Sequence, residues 1–535
     1  MDVEQPQVAE VVSGGANSRR SFLKTLGGGM AGAVILRPGL AGAEDAQTVE
    51  AAATEGGSTT FGRMFPGEPP FAENSQPLRA ALKELGRPGG ILDAGDALDR
   101  GAAALIADPT LNMVNRNNPT HTTGTTFMGQ FMDHDVTFDA TSRLATPTAP
   151  KTVTNVRTPA FDLDTVYGGG PVASPQLYDG TDAVRFKVES GGRFEDLPRA
   201  SDNSAIIADP RNDENLVISG LHAAFLKFHN NAVDLVRSQG VSDVLEVFDA
   251  ARRLTTWHYQ WMVLHEFLPL FIGQAMTDKI LARGRKHYLP TTAFMPVEFQ
   301  GAAYRFGHSM IRPSYPANAT GDNGTPFIAL IFDPAEIGKA DPNDLSGSKR
   351  APRRFIDWNG FFDFGDGRVG QNKRVDTRIS TPLFNLPPAT IRTPAGAELG
   401  PTALAQRTLL RHITWGLPSG QRLAQRIGVP ALTKADLAEL SGLGLGLRGS
   451  TPLWYYVLRE AEIATDGLHL GPVGGRIVGE VIIGLLQTDP GSYVSVDPAW
   501  VPTLPSRGGS GDFRMADLLT FAGVDPLSRT VATLP

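Results

Sequence analysis

Four short runs in this 535-residue chain gather side chains able to move protons or hold ions. The first is Gln130-Phe131-Met132-Asp133-His134-Asp135. As a helix turning about 100° per residue it puts Gln130 and His134 one turn apart on the same face, with Asp133 and Asp135 about 200° apart. One helical turn could then serve two different sites, one on each side of the imidazole. Phe127, Met128, Phe131 and Met132 surround the run, and charges in such a setting require partners. The second run is Thr158-Pro159-Ala160-Phe161-Asp162-Leu163-Asp164. In an extended loop its alternate positions present a hydroxyl, a backbone carbonyl and two carboxylates to one side, a set of hard oxygen donors suited to calcium. It is not an EF-hand, because no glycine occupies the sixth position. The third run, Asp209-Pro210-Arg211-Asn212-Asp213-Glu214-Asn215, sets Arg211 and Glu214 three residues apart just ahead of a helical period. The fourth, Tyr304-Arg305-Phe306-Gly307-His308-Ser309-Met310-Ile311-Arg312-Pro313, puts His308 on an apolar helix face that Pro313 ends or kinks. Each run also has a plainer reading: a solvated helical turn, an acidic surface loop, a polar helix entry and a histidine satisfied in the core.

The elements that must position these groups are mainly helical. Helical periodicity is clearest over 221–238, 244–271 and 476–487. The stretch 312–402 is rich in Pro, Gly, Asn and Asp and carries few sustained apolar periods. No internal repeat is visible and no alternation of strands suggests a parallel sheet. These features predict a mainly α-helical fold with long loops and little β structure, and long coils in a compact domain accompany ligand or metal sites. Glycine (59) and proline (40) exceed the usual combined share of about 12%, in keeping with that loop content. A net charge of −7 with no basic stripe argues against nucleic acid as a partner. The absence of cysteine removes disulfides, thiolate metal sites and thiol catalysis.

The N-terminus reads as an export signal. Ser18-Arg19-Arg20-Ser21-Phe22-Leu23-Lys24 precedes an apolar stretch over 25–36, and Leu40-Ala41-Gly42-Ala43 supplies a small-residue cleavage site. Residues 1–43 are therefore expected to be a twin-arginine signal peptide, 44–60 a flexible linker and 61–535 the functional domain. The expected location is periplasmic or secreted in a bacterium, with the twin-arginine export machinery as a partner. The apolar stretch of about 12 residues is too short to span a bilayer, so no stable membrane span is expected. The G-x-G-x-x-G patterns at 27–32 and 444–449 lack a βαβ setting and carry no dinucleotide meaning.

In their order and spacing the four runs resemble the animal-type haem peroxidases, and the resemblance extends over about 61–524. Further landmarks are Thr451-Pro452-Leu453-Trp454-Tyr455, Gly416-Leu417-Pro418-Ser419-Gly420 and Asp162-x-Asp164-x-Val166-Tyr167-Gly168. The resemblance implies one large helical domain around a buried haem b, where length alone would suggest roughly three or four domains. It implies a peroxidase that reduces hydrogen peroxide through a ferryl intermediate and oxidises small organic donors or halides and thiocyanate. Carried over by position, His134 is the distal histidine, Gln130 its hydrogen-bonding neighbour and Arg211 the distal arginine. His308 is the proximal ligand of the haem iron, and Arg305 and Arg411 lie near the haem edge. Asp133 and Glu214 fall where the family forms ester bonds to haem methyl groups, and Asp135, Thr158, Ala160, Asp162 and Asp164 coincide with its calcium ligands.

The chain also departs from the family pattern. Asn215 stands where myeloperoxidase has a methionine bonded to a haem vinyl group, and Thr408 where the family has an asparagine that hydrogen-bonds the proximal histidine. Two other functions compete with the leading one. The cyclooxygenase-like fatty-acid dioxygenases place a radical-forming tyrosine three residues before the proximal histidine, a position held here by Arg305. A catalytically silent haem-binding or adhesion protein is opposed by the intact His134 and Arg211.

Overall fold

Several helices in the computed structural model begin where the sequence supplies an oxygen cap or a proline. The structure describes residues 59–531, Gly192 aside, so the expected signal peptide and most of the linker lie outside the described residues. Ser75 caps α1 (Gln76–Leu85) by accepting the Leu78 N–H. The run around His134 forms α2 (Gly124–Val136). Asn215 caps α3 (Leu216–Ser238) through the Ile218 N–H, and Asp243 caps α4 (Val244–Met262) through Leu245 and Glu246. Downstream lie α5 (Leu404–Trp415), closed by Gly416 in the left-handed conformation, α6 (Leu453–Thr465) and α7 (Pro472–Thr488), whose proline occupies the first turn.

The three periodic stretches of the sequence fall on α3, α4 and α7. The period read over 244–271 continues beyond α4 through a π-helical turn, Val263–Phe267, into the short helix Leu268–Ile272. Pro269 cannot donate to the carbonyl four residues back, and the wider turn just ahead of it absorbs the mismatch.

Strands are few and short, as the composition implied. β1 (Thr59–Gly62) lies between β3 (Thr154–Asn155) and β6 (Met295–Pro296), while β2 (Asn117–Thr122) pairs with β9 (Gln371–Lys373). β4 (Glu189–Ser190) with β5 (Glu195–Asp196) and β7 (Ser314–Asn318) with β8 (Phe327–Leu330) form two further ribbons. The loop-rich stretch 312–402 contains only β7, β8, β9 and single 3-10 turns.

A continuous hydrophobic core joins residues from Phe61 to Val524. α2 sits inside it, with Phe131 stacked on Phe225 of α3 at 4.7 Å. The N-terminal segment is tied to distant parts of the chain. Met64 and Phe65 donate their N–H groups to the buried carboxylate of Glu298, and Arg63 donates to the carbonyls of Trp415 and Gly416.

Candidate active site

α2 is buried on nearly every side, yet Gly129, Gln130 and Asp133 are only half-buried. Arg305, His308 and Arg411, from the opposing segments, are also half-buried, as is Glu214. These partly exposed groups lie on two walls, α2 with its neighbours and the segments packed against them. The two walls are bonded to each other: the Tyr304 hydroxyl donates to the Gly129 carbonyl at 3.2 Å, and the Thr126 hydroxyl to the Met310 carbonyl at 3.5 Å.

On the α2 wall the His134 Nδ1 lies 2.9 Å from the Asn212 Oδ1. Burial pulls the imidazole down to about 3, with the Arg211 guanidinium adding to the effect, so it is neutral at physiological pH. Arg211 comes from the 3-10 turn Pro210–Asp213. Its Nε and Nη2 hold Asp209 at 3.0 and 2.7 Å, while Nη1 and Nη2 donate to the carbonyls of Thr137 and His134 at 2.8 and 2.9 Å. The guanidinium also lies 4.2 Å from the Phe138 ring. It therefore clamps the C-terminal carbonyls of α2 and acts on the imidazole through its charge. Burial would raise Asp209, but Arg211 and Arg157 outweigh it and hold this carboxyl well below its usual range. Gln130 joins the same wall, donating to Glu214 and accepting from Asn215, both at 3.3 Å. Burial pushes Glu214 up to about 7 and also raises Asp133.

On the other wall His308 lies in the turn Gly307–Met310, which follows the 3-10 turn Ala303–Phe306. The Thr408 hydroxyl of α5 donates to the Leu404 carbonyl at 3.0 Å, leaving a lone pair for the His308 N–H at Nδ1, 3.3 Å away. The threonine hydroxyl thus meets the His308 imidazole. With Nδ1 so held, Nε2 is free to bind a metal. Burial, then Arg305 and Arg411, drives His308 well below its ordinary value and keeps it neutral, the form that ligates. Burial, and then Arg411, lowers Arg305 to about 9, with Asp133 partly offsetting them, and Arg411 donates to Asp139 at 2.9 Å. These residues fit a haem: an imidazole on one wall, a neutral imidazole on the other, and guanidiniums for its carboxylates. A separate hollow of about 610 Å3, lined by residues including Leu270, Met276, Lys279, His469 and Arg476, shares none of these side chains.

The opposite face of α2 serves the second site. Asp135 is fully buried, and its carboxylate comes together with those of Asp162 and Asp164, one oxygen of each lying within 4.8 Å of the others. Asp135 Oδ2 accepts the Leu163 N–H at 3.2 Å, whereas Oδ1 is buried without a partner. Burial raises all three acids, and repulsion from neighbouring carboxylates of the cluster adds to it at Asp135 and at Asp162, which reaches about 7. Thr158 donates its N–H to Asp164 at 3.0 Å, and Ala160 is buried in the same loop. Three crowded acids with an orphaned oxygen fit a hard divalent cation. Arg157 stands beside them, 3.5 Å from both Asp164 and Asp209. Asp209, Arg157, Asn212 and Thr165 were not singled out in the sequence, because their value depends on neighbours brought in by the fold.

The animal haem peroxidase family model matches residues 140–346, which contain the 158–164 loop, Arg211, Glu214 and His308. Among curated proteins, the peroxidasin homolog pxn-1 of Caenorhabditis elegans is 26% identical over 180 residues, 30% of this chain and 14% of that protein. Peroxidase mlt-7 of the same organism is 25% identical over 351 residues, 62% of this chain and 44% of its own length. The chain thus spans less than half the length of these relatives. Among solved structures, peroxidase A from Dictyostelium discoideum superposes with a TM-score of 0.59 at 17% identity, covering 86% of this chain and 93% of that one. A fatty acid alpha-dioxygenase from Arabidopsis thaliana gives 0.51 at 14% identity, with 89% and 76% covered. Both are likenesses of fold, and residues 140–346 are similar in sequence to the animal haem peroxidase family.

Proposed function

We propose that the protein is a haem-dependent peroxidase that reduces hydrogen peroxide and oxidises small organic donors or halides and thiocyanate. The observation that carries this reading is the pairing of two neutral imidazoles, the buried His134 and the half-buried His308, each held at Nδ1 and carried on segments that are bonded to each other. Haem bound between them would supply the iron that takes up peroxide and stores its oxidising equivalents.

His308 would hold that iron through Nε2, with Thr408 setting the orientation of the ring. His134 would take the proton of the bound peroxide at Nε2 and return it to the departing oxygen. Arg211 would contribute fixed positive charge beside that oxygen while holding the end of α2. Arg305 and Arg411 would pair with the haem carboxylates, and the buried acids Asp133 and Glu214 would be its covalent anchors. Calcium on Asp135, Thr158, Ala160, Asp162 and Asp164 would brace α2 from behind. No helix among the described residues is long and apolar enough to cross a membrane, and the N-terminal signal supports periplasmic or secreted delivery by the twin-arginine route.

Rapid mixing of the haem-loaded protein with peroxide tests the reading. The absorbance of the bound haem should change within milliseconds, and His134→Ala should slow that change by about 100- to 10,000-fold. An unchanged spectrum alongside oxygenation of linoleate would transfer the protein to the dioxygenase branch. Mass spectrometry of tryptic fragments for haem adducts on Asp133 or Glu214 decides the anchoring, and cell fractionation decides the location.

A further inference from the structure

We infer that Asn212 is a positioning residue that fixes His134 in the neutral tautomer bearing its proton on Nδ1, leaving the Nε2 lone pair free to act as a base. The inference rests on the reading of His134 given above.

Asn212 is wholly buried at the centre of a three-way junction. Its Oδ1 faces the His134 Nδ1 at 2.9 Å. Its Nδ2 donates to the Thr165 Oγ1 and to the His222 Nδ1, both at 2.9 Å. Thr165 and His222 are themselves buried. An amide has one acceptor end and one donor end. With both donors engaged by Thr165 and His222, the oxygen is the end left for His134, and an oxygen there demands a proton on Nδ1. The Nε2 of His134 meets no hydrogen-bond partner among the described residues. Reversing the amide would aim an N–H at Nδ1, move the imidazole proton to Nε2 and abolish the base. His222 and Thr165 therefore act on His134 through Asn212 by fixing which way the amide points. Thr165 directly follows Asp164, so the junction also ties the imidazole to the acidic loop.

The experiment uses the full haem-loaded chain in its ferrous, carbon-monoxide-bound form. The infrared C–O stretch falls when a neighbouring N–H points at the ligand and does not when the neighbour is a lone pair. Wild type should show the high-frequency band alone. Asn212→Leu, which frees the imidazole, should add a low-frequency band and slow the reaction with peroxide by about 10- to 100-fold. Asn212→Asp keeps an oxygen acceptor and should retain the single high-frequency band, a rescue that generic loss of packing would not produce. His222→Phe removes one anchor of the amide and should give both bands, and it carries the test together with the Asp variant if the Leu variant does not fold. Low-frequency absorption in wild type, or in Asn212→Asp, overturns the inference, as does an Asn212→Leu protein matching wild type in both spectrum and rate. If His134→Ala reacts with peroxide as fast as wild type, the role assigned to His134 fails instead, and the bands still report the tautomer.

Discussion

His412 shows how a buried imidazole makes part of the wall that carries His308 sensitive to acid. Its Nδ1 donates to the Thr408 carbonyl at 3.0 Å and its Nε2 accepts the Trp454 N–H at 3.0 Å, so both nitrogens are committed in the neutral form and α5 is joined to α6. Burial lowers it from 6.5 to about 4. In the unfolded chain the ring takes a proton near 6.5, whereas in the folded chain it resists until about 4, so its stabilising contribution is complete above 6.5 and is lost as the pH falls toward 4. The stability margin of wild type over His412→Phe should shrink by about 1.4 kcal/mol per pH unit in that window. Urea denaturation of both proteins at pH 7 and pH 5 measures it, and a margin independent of pH would refute the neutral assignment.

At the scale of elements, the turn Pro210–Asp213 is backed by a strip of chain that leaves no room for a side chain. Leu216 donates its N–H to the Leu345 carbonyl at 2.8 Å, and Gly347 donates to the Glu214 carbonyl at 3.0 Å. A Cβ on Gly347 would stand 1.7 Å from the Asp213 carbonyl oxygen. Gly347→Ala must therefore push away the turn that carries Arg211 and Asn212, together with Glu214 just after it. It should cost about 1–3 kcal/mol and slow the peroxide reaction. Gly180→Ala, where the same atom meets open space, should do neither. Thermal denaturation and stopped-flow mixing check both variants. The two-faced turn of α2 was legible because helix period is a local property, whereas the extended alternation expected over 158–164 is replaced by bends, with Leu163 in the left-handed region and Asp164 opening a short helix, and the fold still brings Asp162 and Asp164 to Asp135. The sequence could not reveal Asn212, whose partners lie at 134, 165 and 222, or the Asp209 to Arg157 ion pair, because these depend on which segments the core brings together. Nor did helical period alone mark the π-helical turn ahead of Pro269, which leaves the apolar pattern nearly intact.

Across the whole molecule, the acidic loop and the α2 wall form one electrostatic chain that runs from Asp164 through Arg157 and Asp209 to Arg211 and the His134 carbonyl. A cation at the acids would therefore steady His134 from behind. With free calcium at 100 times its dissociation constant, binding would add about 2.7 kcal/mol to the stability of the folded state. Removal by a chelator should lower the melting temperature, and Asp135→Asn should abolish the dependence on calcium. The pH dependence follows from the same acids. Asp162, raised from 3.8 to about 7, keeps its proton in the metal-free fold, so its contribution is complete below 3.8 and is lost as the pH rises to about 7. Calorimetry with calcium or chelator at pH 5 and pH 8 should find the larger calcium effect at pH 8, and equal effects would refute the assignment. The bonds from Met64 and Phe65 to Glu298 bear on something else, the survival of the chain among proteases. A cut beyond Phe65 would strand a buried acid without its donors, at a cost of about 1–3 kcal/mol, so the interior itself sets the limit to which the N-terminus can be trimmed.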